Sequence, residues 1–307
     1  MKKLIFIFLL SIFFLPAIAR ATTISPLVIE VDLDPGGAIK KTVSLYNETG
    51  QDLRLNGYIE TFKPRGENGE AEIASDINYQ ALSWVGLPIN AVNLKPGEIL
   101  EAPVAINIPK TAQVGGYYLA VMWETAPAVR TGETPINVSS RVGTLLLLKV
   151  RGAVQEKLEI SEFSTKDNFY NHLPADFSAR LKNLGNVHIK PGGYLTIENI
   201  FGRVVENLPF NNDKGNILPR SIRKFDLVWQ RKNPPEVSGG FWRGLTAEFK
   251  QFAFGRYTAQ LNLEYGESHQ RISSPEIVFW VVPWRLLTML VVIILVTFLW
   301  WKLKIKN

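Results

Sequence analysis

Between residues 24 and 280 apolar side chains return at every second position, and a run of that period buries one face only as a β-strand. Val43 and Leu45, then Leu53, Leu55 and Ile59, then Ala102, Val104, Ile106 and Ile108, then Tyr117, Leu119, Val121 and Trp123 follow it, with polar or small residues filling most of the gaps. Turn-forming residues separate these runs: Pro35-Gly36-Gly37, Glu48-Thr49-Gly50-Gln51, Pro64-Arg65-Gly66, Pro96-Gly97 and Gly115-Gly116. The pattern then restarts with Phe177, Ala179 and Leu181, with Leu195 and Ile197, with Phe225, Leu227 and Trp229, and with Tyr257, Ala259, Leu261 and Leu263. Short alternating strands with frequent turns predict an all-β chain of two tandem immunoglobulin-like β-sandwiches, about seven strands in each. The boundary is expected near Gly152, giving sandwiches over residues 22–152 and 153–279. Trp123 and Trp229 fall on the apolar side of their strands, so each is expected in a core.

The two ends have a different character. Lys2 and Lys3 precede an apolar run from Leu4 to Leu15, then Pro16 and the small-residue exit Ala19-Arg20-Ala21. Residues 1–21 are therefore expected to be an export signal, too short in its apolar part to span a bilayer comfortably. At the other end an uncharged stretch from Leu286 to Trp301 gives about 24 Å of helix at 1.5 Å per residue. Extended back to Trp280, the segment 280–301 reaches the roughly 20 residues of a transmembrane helix. Trp280 and Trp284 at one end, with Trp300 and Trp301 at the other, match interfacial aromatic belts. Arg285 is expected to snorkel to the outer headgroups. Lys302, Lys304 and Lys306 mark the tail 302–307 as cytoplasmic, which places both sandwiches outside a single-pass cell membrane protein.

The formal charge of +6 does not argue for nucleic acid. Six of the 34 basic residues lie in the two end segments, and removing them leaves 28, equal to the 28 acids between. With no cysteine, an exported region of this length must be held by hydrophobic cores rather than disulfides, which suits a bacterial envelope protein. The sequons at Asn47 and Asn137 occur at the frequency chance gives.

Two stretches depart from the alternation. Residues 64–93, with Trp84, Leu87 and Pro88, read as a loop or short helix leaving the first sandwich. The insertion 231–254 carries the large apolar side chains Phe241, Trp242, Leu245, Phe249 and Phe252, and the spacing of Leu245, Phe249 and Phe252 suits a short amphipathic helix. These side chains are expected to cover the open edge of the second sandwich, with a helix resting on the outer leaflet as the alternative.

Catalytic patterns do not occur. His172, His188 and His269 form no metal-ligand spacing, and no nucleophile elbow, phosphate loop or dinucleotide fingerprint follows a strand. No catalytic, cofactor-binding or metal site is expected, and the chain does not read as an enzyme. Asp32-Leu33-Asp34 and Asn211-Asn212-Asp213 lack a calcium-loop frame and read as turns, although a Ca²⁺ role stays open.

A first module opening with Ile24-Ser25-Pro26-Leu27 is followed by Pro35-Gly36-Gly37 and Thr42-Val43-Ser44-Leu45-Tyr46-Asn47. Leu94-Lys95-Pro96-Gly97-Glu98 and Gly115-Gly116-Tyr117-Tyr118 come next, ahead of a second β module and a terminal helix. This order resembles bacterial WxL-interacting surface proteins. The resemblance implies an N-terminal peptidoglycan-binding immunoglobulin-like domain, a second one that binds the host, and a C-terminal membrane anchor. The function expected is a membrane-anchored cell-surface scaffold or adhesion protein engaging cell-wall polymer or another surface protein. The alternatives are a pilus-chaperone-like module that lends a strand to a client, and the ectodomain of a sensor acting with a membrane partner.

Overall fold

The computed structural model describes residues 21–74, 79–125, 139–231 and 240–306, so the expected export signal and Asn137 lie outside the described residues. The chain divides into two compact units, one running up to Phe62 and over Ile73–Gly152, the other taking Lys63–Glu72 and everything from Ala153.

In the first unit one sheet has the order β1 (Thr22–Ser25), β3 (Ala38–Asn47), β8 (Ile99–Asn107) and β6 (Val85–Gly86). The other runs β2 (Val28–Leu33), β10 (Arg141–Val150), β9 (Gly115–Thr125), β4 (Leu53–Arg65) and β5 (Glu70–Ala74), with β7 (Ala91–Leu94) also beside β4. Alternate residues of both sheets meet in one core, in which Val43, Leu45, Leu55, Val104, Ile106, Leu119 and Val121 are fully buried. Burying each such side chain stabilises the fold by about 1.5–3 kcal/mol. Residues 64–93, expected as loop or short helix, instead hold the end of β4, β5, a 3₁₀ turn over Gln80–Trp84, β6 and β7 among the described residues, with Trp84 packed edge-on against Tyr117 at 4.4 Å.

The second unit pairs β11 (Leu158–Thr165), β13 (Ala175–Asn183) and β16 (Ile222–Trp229) in one sheet. Its other sheet has the order β12 (Phe169–Tyr170), β19 (Ile277–Val281), β17 (Gly255–Tyr265), β14 (Gly192–Asn199) and β15 (Val204–Phe210), and β18 (Gln270–Ser273) pairs with β17. β13 shows why these sequences become strands. Ala175, Phe177, Ala179, Leu181 and Asn183 point inward while Asp176, Ser178, Arg180 and Lys182 point outward, so only a period of two buries the apolar set.

A connection pattern recurs in both units. The first strand lies antiparallel to its neighbour in one sheet, and the next short strand lies parallel to the last strand of the other sheet. The pairs are β1 with β3 and β2 with β10, then β11 with β13 and β12 with β19. A buried asparagine recurs with it. Asn47, ending β3, donates to the carbonyls of Gln51 and Leu94, both at 2.9 Å; Asn183, ending β13, donates to those of Val187 and Ile217, both at 2.8 Å. Each side-chain oxygen accepts a backbone N–H two residues on. The Asn47 sequon is thus a structural corner.

Trp123 and Trp229 are both fully buried, as their positions in the alternation predicted. Trp123 lies across Gly57, where a Cβ would stand 2.9 Å from the indole ring, so only glycine fits opposite it. Trp229 packs edge-on against Tyr257 at 5.1 Å and Phe279 at 6.0 Å.

Two helices complete the second unit: α1, Phe241–Lys250, and α2, Trp284–Lys306. At 23 residues α2 is about 34 Å long, enough to cross a hydrocarbon core. It begins at Trp284 rather than at Trp280. Residues 277–281 are needed as β19, where Phe279 and Val281 are buried, and Pro283 then suits the start of a helix.

Candidate functional site

Among the described residues no group of three or more His, Asp or Glu side chains converges as a metal site would require. His269 Nδ1 lies 2.6 Å from Glu264 Oε1 on an exposed turn, and the His172 ring contacts the Leu173 carbonyl. Asn211 holds its own turn, donating to the carbonyls of Pro191 (2.8 Å) and Gly215 (3.0 Å), so the 211–213 cluster is turn architecture. Two other places stand out: the junction between α1 and α2, and a groove at the edge of the second sandwich.

The junction is built around Glu248, a fully buried carboxylate and the only acid on α1. Its Oε2 accepts the Leu286 N–H at 2.8 Å, and Oε1 accepts both the Arg285 N–H at 3.3 Å and the Arg285 guanidinium at 3.2 Å. Glu248 thereby caps the start of α2 from another helix, meeting orphan N–H groups and the positive end of the helix dipole. The Arg285 side chain is only 22% exposed and stacks 4.8 Å over the Trp284 ring, with its charge turned to Glu248. A buried carboxylate needs its counter-charge, and Arg285 supplies it. Gly244 leaves room here: a Cβ would stand 2.5 Å from the Arg285 guanidinium carbon and would have to displace it.

This anchoring leaves the aromatic side chains of α1 outside. Trp242 is 75% and Phe249 74% exposed, Phe241 and Phe252 are exposed, and Leu245 is half-buried. The expectation that these residues cover an edge of the sandwich is therefore corrected: Gly244, Ala247 and Glu248 form the buried seam of α1. At about 100° per residue the aromatic face flanks that seam, and Arg243 and Lys250 lie on the far side. Beyond α1, Gln251 and Ala253 turn inward while Phe252 and Phe254 turn outward. Gln251 fixes both ends of the excursion: its Oε1 accepts the Arg231 N–H at 2.8 Å and its carbonyl accepts the Leu173 N–H at 3.2 Å. Register adds more aromatics beside the start of α2. Phe169, 70% exposed, pairs with exposed Trp280 on the outer sheet face, and Gly255, next to Phe254, pairs with Val281.

The groove lies between β15 and β16, the outer strands of the two sheets, and has a volume of about 350 Å³. Phe210 and Phe225, with ring centres 4.7 Å apart, join Leu208 and Leu227 in lining it. Arg223 closes one end, stacked 5.2 Å over Phe225 and donating to the Asn216 carbonyl at 2.8 Å. Burial pulls its guanidinium below the ordinary arginine value, against the opposing charge of Asp213. The Lys224 N–H points away from β13 and donates to the Glu67 carbonyl at 2.7 Å. Since backbone groups of alternate residues face alternate sides, Asp226 and Val228 present theirs on the same open edge, and no partner meets them among the described residues. Across the groove Pro209 leaves β15 without one donor.

No family model matches the sequence, and no curated protein matches it. Solved structures with a similar trace are distant. The class 5 fimbriae chaperone CfaA has a TM-score of 0.41 at 14% identity, over 86% of this chain and all of that one. The Pseudomonas aeruginosa CupB2 chaperone has a TM-score of 0.37 at 9% identity, over 84% of this chain and all of that one. The chaperone–tip adhesion subunit complex of the Csu pili of Acinetobacter baumannii has a TM-score of 0.36 at 13%, over 67% of this chain and 89% of that one. A likeness at this level carries no argument about function, which is argued below from the residues of this chain.

Sequence reasoning singled out Phe241, Trp242, Leu245, Phe249 and Phe252, and the structure brings them together. It missed Glu248, Phe169 and the groove. One signal for Glu248 was available: a lone acid between Ala247 and Phe249 in an otherwise acid-free helix. Phe169 is joined to Trp280 only by pairing across more than a hundred residues, for which no local signal exists.

Proposed function

We propose that this chain is a non-enzymatic binding protein, tethered to the cell membrane by α2, that holds an extended segment of another polypeptide by strand addition on β16. The observation that carries the proposal is the open β16 edge beside an apolar groove. Asp226 and Val228 offer backbone donors and acceptors, and Phe210, Leu227 and Phe225 wait beneath for alternate side chains of an added strand. The edge already takes one backbone partner in the Glu67 carbonyl, and Pro209 leaves β16 as the receiving wall. Length, composition and the absence of burial along Trp284–Ile305 support the tether. The export signal at 1–21 and the lysines Lys302, Lys304 and Lys306 support an outward-facing pair of sandwiches with the C-terminus inside.

Because the chain has no cysteine, a benzophenone can be attached at a single introduced thiol. Val228→Cys and, as control, Thr258→Cys on the other sheet would be irradiated in membranes of the producing cell. The expected result is a polypeptide adduct at 228 and none at 258, with slowed amide exchange at Asp226 and Val228. A glycan adduct at 228, or equal polypeptide adducts at both positions, would overturn the proposal.

A further inference from the structure

The way α1 meets α2 carries an inference beyond the tether, although it rests on α2 spanning a bilayer. Phe241 meets Trp284 at 6.3 Å between ring centres, Gly244 meets Arg285, and Glu248 reaches the N–H groups of Arg285 and Leu286. An advance of seven residues along α1, about 10 Å, therefore corresponds to an advance of two along α2, about 3 Å. Such a contact places α1 across the end of α2 rather than alongside it. With α2 directed through the bilayer, α1 runs near the plane of the membrane surface at the level where the span enters.

We infer that α1 is an interfacial foot: its aromatic face rests in the headgroup–acyl boundary of the leaflet that α2 enters, so that the second sandwich is held against the lipid surface. Exposed Trp242, Phe249 and Phe252 share the aromatic side of α1 with Phe241, whose ring meets Trp284 at the start of α2, and an exposed apolar face of this kind needs a covering partner. Lipid is that partner because the patch adjoins the first turn of the span, where tryptophan belts sit. Charge agrees with it. The one acid of α1 is turned to α2, so the aromatic face of the helix carries no carboxylate to repel anionic headgroups. The junction is also stiff enough to matter, since Glu248, Arg285 and Gly244 leave α1 no room to swing without breaking a buried ion pair.

The test uses the full chain in phosphatidylcholine–phosphatidylglycerol vesicles, with a fluorophore on single cysteines at Trp242→Cys, Phe249→Cys, Ser268→Cys or Leu295→Cys. Nitroxide lipids labelled near the headgroup or near the chain end serve as quenchers. Ser268 follows β17 at the end opposite its pairing with β19, roughly 35 Å along the strand from Gly255. The expected result is quenching at 242 and 249 by the shallow nitroxide several-fold above that at 268, with 295 quenched by the deep one. If 295 is quenched while 242 and 249 behave like 268, the foot is refuted and the tether stands. If 295 is not quenched by the deep lipid, the tether fails and the foot fails with it.

Discussion

Glu248→Gln should undock α1 from the start of α2. The glutamine retains an acceptor and most of the shape, so the change isolates the charge. In the native junction the carboxylate is fully buried and takes three hydrogen bonds, two from N–H groups of the first turn of α2. Removing one partner of a buried pair costs about 3–5 kcal/mol, because the other charge is left uncompensated. Arg285 is 22% exposed and regains some hydration, which lowers the figure toward about 2–4 kcal/mol. A further ~0.3–1 kcal/mol is lost with the negative charge at the N-terminus of α2. The assay is amide exchange of residues 241–250 in the full chain in nanodiscs, where local opening reads this free energy directly. A double-mutant cycle with Arg285→Gln separates the pair from its surroundings. The double variant should lose less than the sum of the singles by about 1 kcal/mol or more. Additive losses, or α1 protection unchanged in Glu248→Gln, would refute the ion-pair account of the junction.

Other outcomes follow from the cores and corners. Trp123→Ala and Trp229→Ala should each cost about 3–5 kcal/mol by denaturant titration, which is enough to unfold a marginal domain. Gly57→Ala should cost roughly 1–3 kcal/mol because its Cβ would press on the Trp123 ring, and Trp123→Phe in the same chain should relieve part of that cost. Asn47→Ala strands the buried Leu94 carbonyl and Asn183→Ala the buried Val187 and Ile217 carbonyls; each should lose about 1–3 kcal/mol or more, with neither rescued by serine. Hydrogen bonds from Arg180 hold the Glu162 carboxyl below its ordinary value. Its contribution is therefore present above the ordinary glutamate range and fades as pH falls through the lowered value. A comparison of Glu162→Gln with the parent should show a gap in urea midpoint at about pH 7 that narrows as the solution is acidified below the ordinary glutamate range.

The sandwich class was legible because it depends on a local signal. Alternation such as Ala175-x-Phe177-x-Ala179-x-Leu181 commits a segment to a strand wherever it pairs. Trp123 and Trp229 could be placed in cores by the same logic. Pairing between distant segments was not legible, so the parallel β2–β10 and β12–β19 contacts that repeat in both units left no trace in the sequence. Trp280 shows the limit at the membrane end. Its apolar neighbours suit a span, yet pairing of Ile277–Val281 with β17 satisfies their backbone in a sheet, and the helix waits until Trp284. The α1 face was seen in the sequence, but its direction was misjudged. Period gives which residues share a face; what that face meets was decided by Gly244 and Glu248, whose partner Arg285 lies about forty residues away.

The account depends most on where the two sandwiches stand relative to the membrane. Intact cells producing Ser268→Cys, with a C-terminal epitope tag, can be treated with a membrane-impermeant maleimide and then with protease. The predicted result is labelling at 268, loss of the sandwiches to protease, and survival of a membrane-bound C-terminal fragment that carries the tag. Labelling at 268 only after lysis, or release of the whole chain from membranes by a salt wash, would contradict it.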